Sequence, residues 1–203
     1  MSVGLYRETL TDYIDYIKAF SVMELEKVCE MIKGSLVFTA GNGGSSGNAE
    51  HLACELQKMC DIPTICLNTS MQLITAHSND ENFDKAMVRQ YKTMRRVLGN
   101  NTVVVYSTSG ESQNIISLAD EVVRCEDNLI AMTGYDQLGR ASDHSNTLDD
   151  ICRRYGDRAI SLCINISKFK QGTRVINATG TQVSEDIHGM INHIIYIRLH
   201  GGK

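Results

Sequence analysis

Short apolar runs alternate with helical patterns along most of the chain. The apolar runs predict strands at 36–40, 63–67, 102–106, 128–132 and 159–164, and the intervening patterns predict helices at 46–60, 70–77, 82–98, 112–125 and 183–199. Buried runs separated by helical patterns are typical of a parallel sheet that is covered by helices on both faces. The pattern therefore predicts an α/β fold, in which the crossovers between parallel strands are right-handed.

Two helices are predicted before the first strand, within 5–33. Apolar residues recur at helical spacing along the first of them, and Ser21 with Glu24 has the pattern of a capping box that begins the second. Gly34 is predicted to end that second helix. The resulting N-terminal arm, 1–34, is a candidate for packing against a partner subunit.

Residues 35–203 are predicted to form the α/β core of the same single domain, which spans 1–203. A chain of 203 residues is long enough to bury a core. The least legible segment is 135–158, which is polar and carries charged clusters. Its pattern predicts no more than a short helix and a surface excursion.

Charge and cysteine content exclude several classes of protein. The net charge of -4 and the lack of a Lys/Arg run argue against a nucleic-acid-binding surface. No segment approaches the roughly 20 apolar residues that span a bilayer, and the first residues lack the apolar region of a signal peptide. The seven cysteines include no CxxC pair, and Cys54, Cys66 and Cys163 stand in apolar or packed contexts. This favours buried free thiols in a reducing cytoplasm.

The first candidate site is a glycine-rich turn, Gly41–Gly44, between the first predicted strand and the following helix. Exposed backbone N–H groups and the positive end of the helix favour an anion such as phosphate there. The same helix carries His51 and Glu55, which share one face because they lie four residues apart. This arrangement indicates chemistry on a phosphorylated small molecule.

A second turn, Ser107–Ser112, follows the third predicted strand and opens the next helix. Its hydroxyl groups and the helix-start N–H groups can surround the oxygens of a phosphate. The alternative is an ordinary N-cap with solvated serines. Two such turns at the carboxyl ends of parallel strands favour a ligand site. We expect Glu111 to point away from it.

Neither turn has the pattern of a nucleotide site, because the Lys of a P-loop and the last glycine of a dinucleotide fingerprint are both missing. The second turn has more hydroxyl groups than the first and is therefore the better phosphate seat. The first turn, through Asn42, Gly43 and Gly44, is left to hold the rest of the ligand.

The last predicted helix brings further candidate metal ligands, Glu185, His188 and His193. With His51 and Glu55 they can build a four-ligand site for Zn²⁺ or a similar ion. Periodicity places Glu185 on one face with His188 and Asn192, whereas His193 lies about 80° round from Glu185. The spacing alone does not choose between the two histidines.

Asn79 and Asp80 form another polar pair, at the end of a helical segment. The alternative for them is a plain turn or an N-cap.

These motifs together resemble the sugar isomerase (SIS) domain family, and within it the phosphoheptose isomerase branch. The resemblance runs from about residue 5 to 199. It rests on five motifs: Gly41-Asn-Gly-Gly-Ser45, His51-x-x-x-Glu55, Asn79-Asp80, Ser107-Thr-Ser-Gly-x-Ser112, and the last helix from Glu185 to His193. It implies a three-layer α-β-α sandwich with a five-stranded parallel sheet and a flavodoxin-like topology, preceded by two helices. It also implies a homotetramer with active sites at subunit interfaces.

The resemblance further implies the role of each candidate residue. Glu55 and His193 would be catalytic, as base and as acid/base partner in an aldose–ketose isomerisation through an enediol. One Zn²⁺ per subunit would be bound by His51, Glu55, Glu185 and His193. The substrate-binding residues would be Asn42, Gly43, Gly44, His51, Glu55, Asn79, Asp80, Ser107, Thr108, Ser109, Ser112 and Glu185.

The implied reaction interconverts sedoheptulose 7-phosphate and D-glycero-D-manno-heptose 7-phosphate in heptose biosynthesis for lipopolysaccharide or capsule. The chain departs from the family pattern in having Glu185 where Gln is usual. The loop 166–182 is longer than expected, and Gln182 stands where many relatives carry Asp. These departures leave an isomerase of a related sugar phosphate as one alternative. A non-catalytic SIS protein that binds a sugar phosphate or has a regulatory role is a second alternative.

Overall fold

Helices and strands alternate through the computed structural model, which describes residues 21–97, 99–135, 146–165 and 180–201. The helices are α1 Val22–Ile32, α2 Gly44–Cys60, α3 Met71–Asp80, α4 Phe83–Met94, α5 Gln113–Arg124, α6 Thr147–Tyr155 and α7 Gly180–His200. The strands are β1 Leu36–Gly41, β2 Thr64–Cys66, β3 Asn101–Ser107, β4 Asn128–Tyr135 and β5 Ala159–Asn165. All ten core elements predicted from residue 36 onward are confirmed. The first predicted helix and most of the loop 166–182 lie outside the described residues.

The five strands form one sheet in the order β2-β1-β3-β4-β5. Every neighbouring pair is parallel, which confirms the predicted five-stranded parallel sheet with a flavodoxin-like order. The chain runs from β1 outward to β2 and then returns to place β3 on the other side of β1. The carboxyl ends of β1 and β3 therefore border the crevice in which open α/β sheets bind ligands. Both candidate turns begin there.

Helices cover both faces of the sheet. On one face α1, α2 and α7 bury residues such as Leu52 and Ile187 against Tyr106. On the other face α4, α5 and α6 bury residues such as Tyr91 and Leu118. Each fully buried side chain of this size contributes about 1.5–3 kcal/mol. The three-layer sandwich is thus confirmed, because successive residues of each strand point to opposite cores.

The capping box predicted at the start of α1 is not formed. The Ser21 side chain makes no cap hydrogen bond, and the Ser21 carbonyl instead accepts the Glu24 amide at 3.1 Å. The end of the helix is as predicted, because Gly34 has a φ of +70°, a conformation that glycine adopts without strain.

The segment 135–158 contains the short helix that its pattern predicted, α6, followed by a 3₁₀ turn at Gly156–Arg158. A capping box between Asn146 and Asp149 begins α6. The surface excursion expected at its start falls on residues that the structure does not describe.

All seven cysteines are free thiols, as predicted, but the expectation that they are buried is wrong for Cys54, which is exposed on α2. Burial raises the pKa of Cys152 and of Cys163 to about 12, so neither thiol ionises near neutral pH. Among the helices that the structure describes, none is long and apolar enough to cross a membrane.

Candidate active site

The glycine turn after β1 is held by a side chain that the sequence analysis did not single out. The Asn68 amide accepts the Gly41 N–H at 3.0 Å and donates to the Gly41 carbonyl at 2.7 Å. It therefore pairs with β1 as a neighbouring strand would. Gly43 then turns the chain with a φ of +55°, and α2 begins at Gly44 with no side-chain cap on its first amides. The turn thus presents the uncapped start of a helix at the crevice.

The serine turn after β3 is closed by hydrogen bonds between its own residues. The Gly110 amide donates to the Ser107 carbonyl at 3.0 Å, and the Ser107 and Ser112 hydroxyls lie 3.3 Å apart. The Ser112 side chain makes no cap hydrogen bond to α5. The Oγ1 atom of Thr108 is buried and has no hydrogen-bond partner among the described residues. A buried hydroxyl without a partner beside uncapped helix amides is the chemistry of an anion seat.

Glu111 points away from this seat, as expected. Its carboxylate accepts the Thr147 amide at 3.0 Å and the Thr147 hydroxyl at 2.8 Å, which places the negative charge at the N-terminus of α6. The Gly110 carbonyl accepts the Leu148 amide at 3.2 Å. The turn is therefore tied to α6, and its one carboxylate is directed out of the candidate site.

A reciprocal pair of amides joins the two turns. The Asn42 side chain donates to that of Asn114 at 2.8 Å, and Asn114 donates back at the same distance. Asn114 lies in the first turn of α5 and is 3% exposed. Asn42, which the resemblance assigned to the sugar, is thus placed between the two turns and fixes their separation.

Helices α2 and α7 cross closely through small and amide residues. The Asn48 side chain donates to the Glu185 carbonyl at 2.8 Å, and the Asn192 side chain donates to the Asn48 carbonyl at 3.0 Å. A Cβ atom on Gly189 would stand 3.2 Å from the Asn48 side chain. At the start of α2 the Glu185 carboxylate occupies the space where a side chain on Gly44 would lie.

The same crossing brings two histidines together. The Nε2 atoms of His51 and His193 are 2.8 Å apart, and the ring centroids are 5.0 Å apart. Both histidine side chains are exposed to solvent at the contact between α2 and α7. Of the two histidines between which the spacing of α7 left the choice open, the structure therefore places His193 beside His51.

His188 lies on the opposite side of α7 and is fully buried. Its Nε2 atom is 3.2 Å from the Thr133 carbonyl, and burial lowers its pKa to about 4. Asn192 also faces the sheet and accepts the Tyr106 hydroxyl at 2.6 Å. Of the three residues on the face that periodicity offered for metal binding, His188 and Asn192 therefore pack on the sheet, whereas the Glu185 carboxylate lies against Gly44.

The two imidazoles fit a zinc ion in donor type, and their Nε2 atoms approach each other. Nitrogen ligands of a tetrahedral zinc ion lie about 3.3 Å apart, which is close to the separation of these two atoms. Glu55 follows one turn after His51 on α2 and is half-buried, whereas the Glu185 carboxylate lies against Gly44. Within 21–97, 99–135, 146–165 and 180–201, no three His, Cys, Asp or Glu side chains form a cluster that could hold a metal.

Asn79 and Asp80 form the last turn of α3, and their side chains contact each other at 3.1 Å. Both are exposed, and α3 has no buried residue. They do not cap the next helix, because that role belongs to Asn82, whose side chain accepts the Lys85 amide. No contact described here brings the pair to the imidazoles.

Comparison with known proteins agrees with this architecture. Residues 6–134 match the SIS domain family. The phosphoheptose isomerase of Colwellia psychrerythraea is 32% identical over 113 residues, covering 52% of this chain and 56% of that protein. That of Alteromonas mediterranea is 30% identical over 122 residues, covering 56% and 61%. The chain thus matches less than two thirds of the length of either relative.

A solved structure extends the likeness over the whole chain. A phosphoheptose isomerase from Francisella tularensis superposes with a TM-score of 0.78 at 20% identity, covering 100% of both chains. At that identity the likeness shows the fold. The family match over more than half of the chain goes further, and this protein belongs to the SIS domain family.

Proposed function

We propose that this chain is a phosphoheptose isomerase that interconverts sedoheptulose 7-phosphate and D-glycero-D-manno-heptose 7-phosphate. The observation that carries the proposal is the meeting of His51 and His193 beside the crevice that also holds the serine turn. Relatives at 30–32% identity bear the name phosphoheptose isomerase, which supports the assignment.

The substrate phosphate would bind at the serine turn through the hydroxyls of Ser107, Thr108, Ser109 and Ser112 and the first amides of α5. This contact lies away from the reacting carbons, so its binding energy serves to position the other end of the sugar. The first turn, Asn42–Gly44, would line the path of the sugar chain between the phosphate seat and the imidazoles.

Isomerisation moves a proton between adjacent carbons. Glu55 would take the proton from the carbon next to the carbonyl while His193 gives a proton to the carbonyl oxygen, which leaves an enediol. Glu55 would then return its proton to the former carbonyl carbon, and His193 would take back a proton from the hydroxyl on the other carbon, where the new carbonyl forms. In the reverse direction the same two groups would act in the opposite order. A Zn²⁺ ion held by His51 and His193 with Glu55 and Glu185 would polarise the C1 and C2 oxygens of the sugar.

The active form would be a cytoplasmic homotetramer with its sites at subunit interfaces. Support comes from α3, which buries no residue and exposes Met71 and Leu73 on the helix that ends with Asn79 and Asp80. In such an assembly those two polar residues would reach a site from a neighbouring copy. The pathway would be heptose synthesis for lipopolysaccharide or capsule.

A related sugar phosphate is the second candidate substrate. The Glu185 carboxylate lies against the first turn, where the sugar chain would pass, and it carries a charge that the Gln usual in the family lacks. That charge favours a sugar with additional donors at this point.

A turnover screen of sedoheptulose 7-phosphate against other ketose phosphates, with and without a chelator, tests the proposal. Isomerisation that is lost with the chelator and restored by Zn²⁺ is the expected result. Activity that persists in the chelator would remove the metal from the mechanism. Binding of the sugar phosphates without turnover, on a zinc-loaded sample, would refute the isomerase assignment.

Substitution at Glu55 tests the role of the base. Glu55→Gln keeps the size of the side chain and should lower kcat by about 10²-fold or more, because a general base contributes on that order. Glu50→Gln on the exposed side of the same helix is the matched control and should keep wild-type turnover. Full activity of Glu55→Gln would show that another group removes the proton.

A further inference from the structure

His188 is a fully buried titratable group that the proposed reaction does not use. It lies on α7 among the strands, and its ring meets that of Tyr106 edge-on with centroids 5.9 Å apart. Its polar contact runs from Nε2 to the Thr133 carbonyl at 3.2 Å. Because a carbonyl only accepts hydrogen bonds, Nε2 carries the proton and donates it.

The Thr133 carbonyl that accepts this hydrogen bond belongs to a peptide unit whose N–H donates a hydrogen bond to the serine turn. The Thr133 carbonyl and the Gly134 amide are the two ends of one peptide plane, and the Gly134 amide donates to the Thr108 carbonyl at 2.9 Å. The chain of hydrogen bonds therefore runs from His188, through the peptide between Thr133 and Gly134, to Thr108.

A third peptide unit follows from the same geometry. In a trans peptide the N–H points opposite to the C=O, and no cis peptide occurs among the described residues. The hydrogen bond that holds the Thr108 carbonyl against β4 therefore directs the Ser109 amide away from β4. In the proposed site the phosphate would bind on that side of the turn.

Packing leaves this chain of peptides little freedom. A Cβ atom on Gly134 would stand 2.6 Å from the Ser184 hydroxyl and 2.9 Å from the Thr108 carbonyl. Ser184 precedes His188 by one turn of α7 and is fully buried. Ser184 and His188 thus contact consecutive residues at the end of β4, and only glycine fits at position 134 between Ser184 and the serine turn.

We propose that His188 is a positioning residue for the phosphate seat, acting through the peptide units Thr133–Gly134 and Thr108–Ser109. This inference rests on the proposed function, since it concerns the same anion seat. Each unit accepts at its carbonyl and donates at its amide, so the dipoles align with their positive end at the anion. Hydrogen bonds in such a chain strengthen one another in a low-dielectric interior.

The alignment matters here because the turn itself supplies no positive charge. Residues 107–114 contain no Lys or Arg, and the Glu111 carboxylate is committed to Thr147. Backbone and hydroxyl donors must therefore hold the phosphate, and the donors of a loop hold it well only when their directions are fixed in advance.

The test uses the full-length protein and inorganic phosphate, with titration calorimetry for affinity and thermal unfolding for stability. His188→Gln keeps an N–H donor near the position of Nε2, whereas His188→Leu removes it. His200→Leu, at an exposed histidine on the same helix, is the matched control. We expect His188→Leu to weaken phosphate binding about fivefold, the effect of one hydrogen bond, and we expect His188→Gln and the control to bind within twofold of the wild type.

A purely structural role would lower the melting temperature of His188→Leu and leave its phosphate affinity unchanged, and that result would overturn the inference while leaving the seat intact. If the wild type bound no phosphate, the seat and the inference would both be wrong. Should His188→Leu fail to fold, the amide proton of Gly134 in the wild type gives a second readout by nuclear magnetic resonance. A downfield shift of that proton on addition of phosphate supports the relay, and an unmoved resonance contradicts it.

Discussion

The amide pair between Asn42 and Asn114 should be energetically coupled, because it joins the two turns of the site. Two neutral hydrogen bonds of 2.8 Å connect the side chains, and one partner is buried. Each such bond contributes about 0.5–1.5 kcal/mol net, and a buried partner left unpaired adds to the loss. Asn42→Ala and Asn114→Ala should therefore each lower the free energy of unfolding by about 1–3 kcal/mol.

The double variant should lose less than the sum of the single losses, because the same bonds are removed in both single variants. We expect a coupling of about 1–2 kcal/mol from a double-mutant cycle. The assay is urea unfolding at one fixed protein concentration, since assembly makes the apparent stability depend on concentration. Asp150 and Arg153 supply the matched control cycle, because their ion pair is exposed to water and should give a coupling of at most about 0.5 kcal/mol.

The reasoning also predicts a functional loss in the folded variants. The pair fixes the distance between the phosphate seat and the turn that leads to the imidazoles, so the single variants should raise KM for the sugar phosphate more than they lower phosphate affinity. A coupling below about 0.5 kcal/mol, with additive losses, would show that the two turns are held by the sheet alone and that the amides are incidental.

Three further predictions concern single positions. Gly134→Ala should destabilise by about 1–3 kcal/mol through overpacking against the Thr108 carbonyl, whereas Gly47→Ala, with open space around it, should stabilise by up to about 1 kcal/mol in the helix interior; urea unfolding measures both. The pKa of His188 is lowered to about 4 by burial, so the unfolded chain binds its proton first as the pH falls. Protonation of His188 in the unfolded chain therefore lowers the free energy of unfolding as the pH falls from about 6.5 to about 4, by about 1.4 kcal/mol per pH unit. Above about pH 6.5 this loss is absent. His188→Gln should remove that part of the slope in a pH series. Cys54, which is exposed, should be alkylated first among the seven thiols, and mass spectrometry that finds faster labelling elsewhere would contradict the burial assignments.

The sheet could be predicted from the sequence because each parallel strand is buried on both faces and therefore appears as a continuous apolar run. The run at 102–106, which became β3, is an example in which every residue is buried. The predicted capping box at Ser21 was wrong. Its side chain makes no cap hydrogen bond, so a matching pair of residue types did not ensure the bond. The box at Asn146 was missed because its segment is mostly polar and the apolar stripe that follows is short, with Leu148, Ile151, Cys152 and Tyr155 at helical spacing.

The candidate site was predictable in its residue types and not in its supports. Histidines, serines and glycines stand out at the ends of apolar runs, so the two turns and the last helix could be found. Asn68, Asn114 and Asn192 could not be assigned as supports, because each forms its hydrogen bond with a residue far away in the sequence. Asn68 holds the end of β1, Asn114 holds the Asn42 side chain, and Asn192 joins α2 to α7. Only the folded chain shows these partners.

The choice between His188 and His193 shows what the sequence spacing lacked. The two residues lie five apart, which turns them about 140° from each other on a helix, so α7 can present only one of them to α2. The sheet decides which one, because the Thr133 carbonyl and the Tyr106 ring receive His188 on the buried side. His193 is thereby rotated to the exposed side of the contact between α2 and α7, where His51 arrives because Asn48 and Gly189 let the two helices approach closely. The packing of α7 on β3 and β4 thus determines that His193 meets His51. The buried His188, which fixes this rotation of α7, also contacts the end of β4 that supports the serine turn.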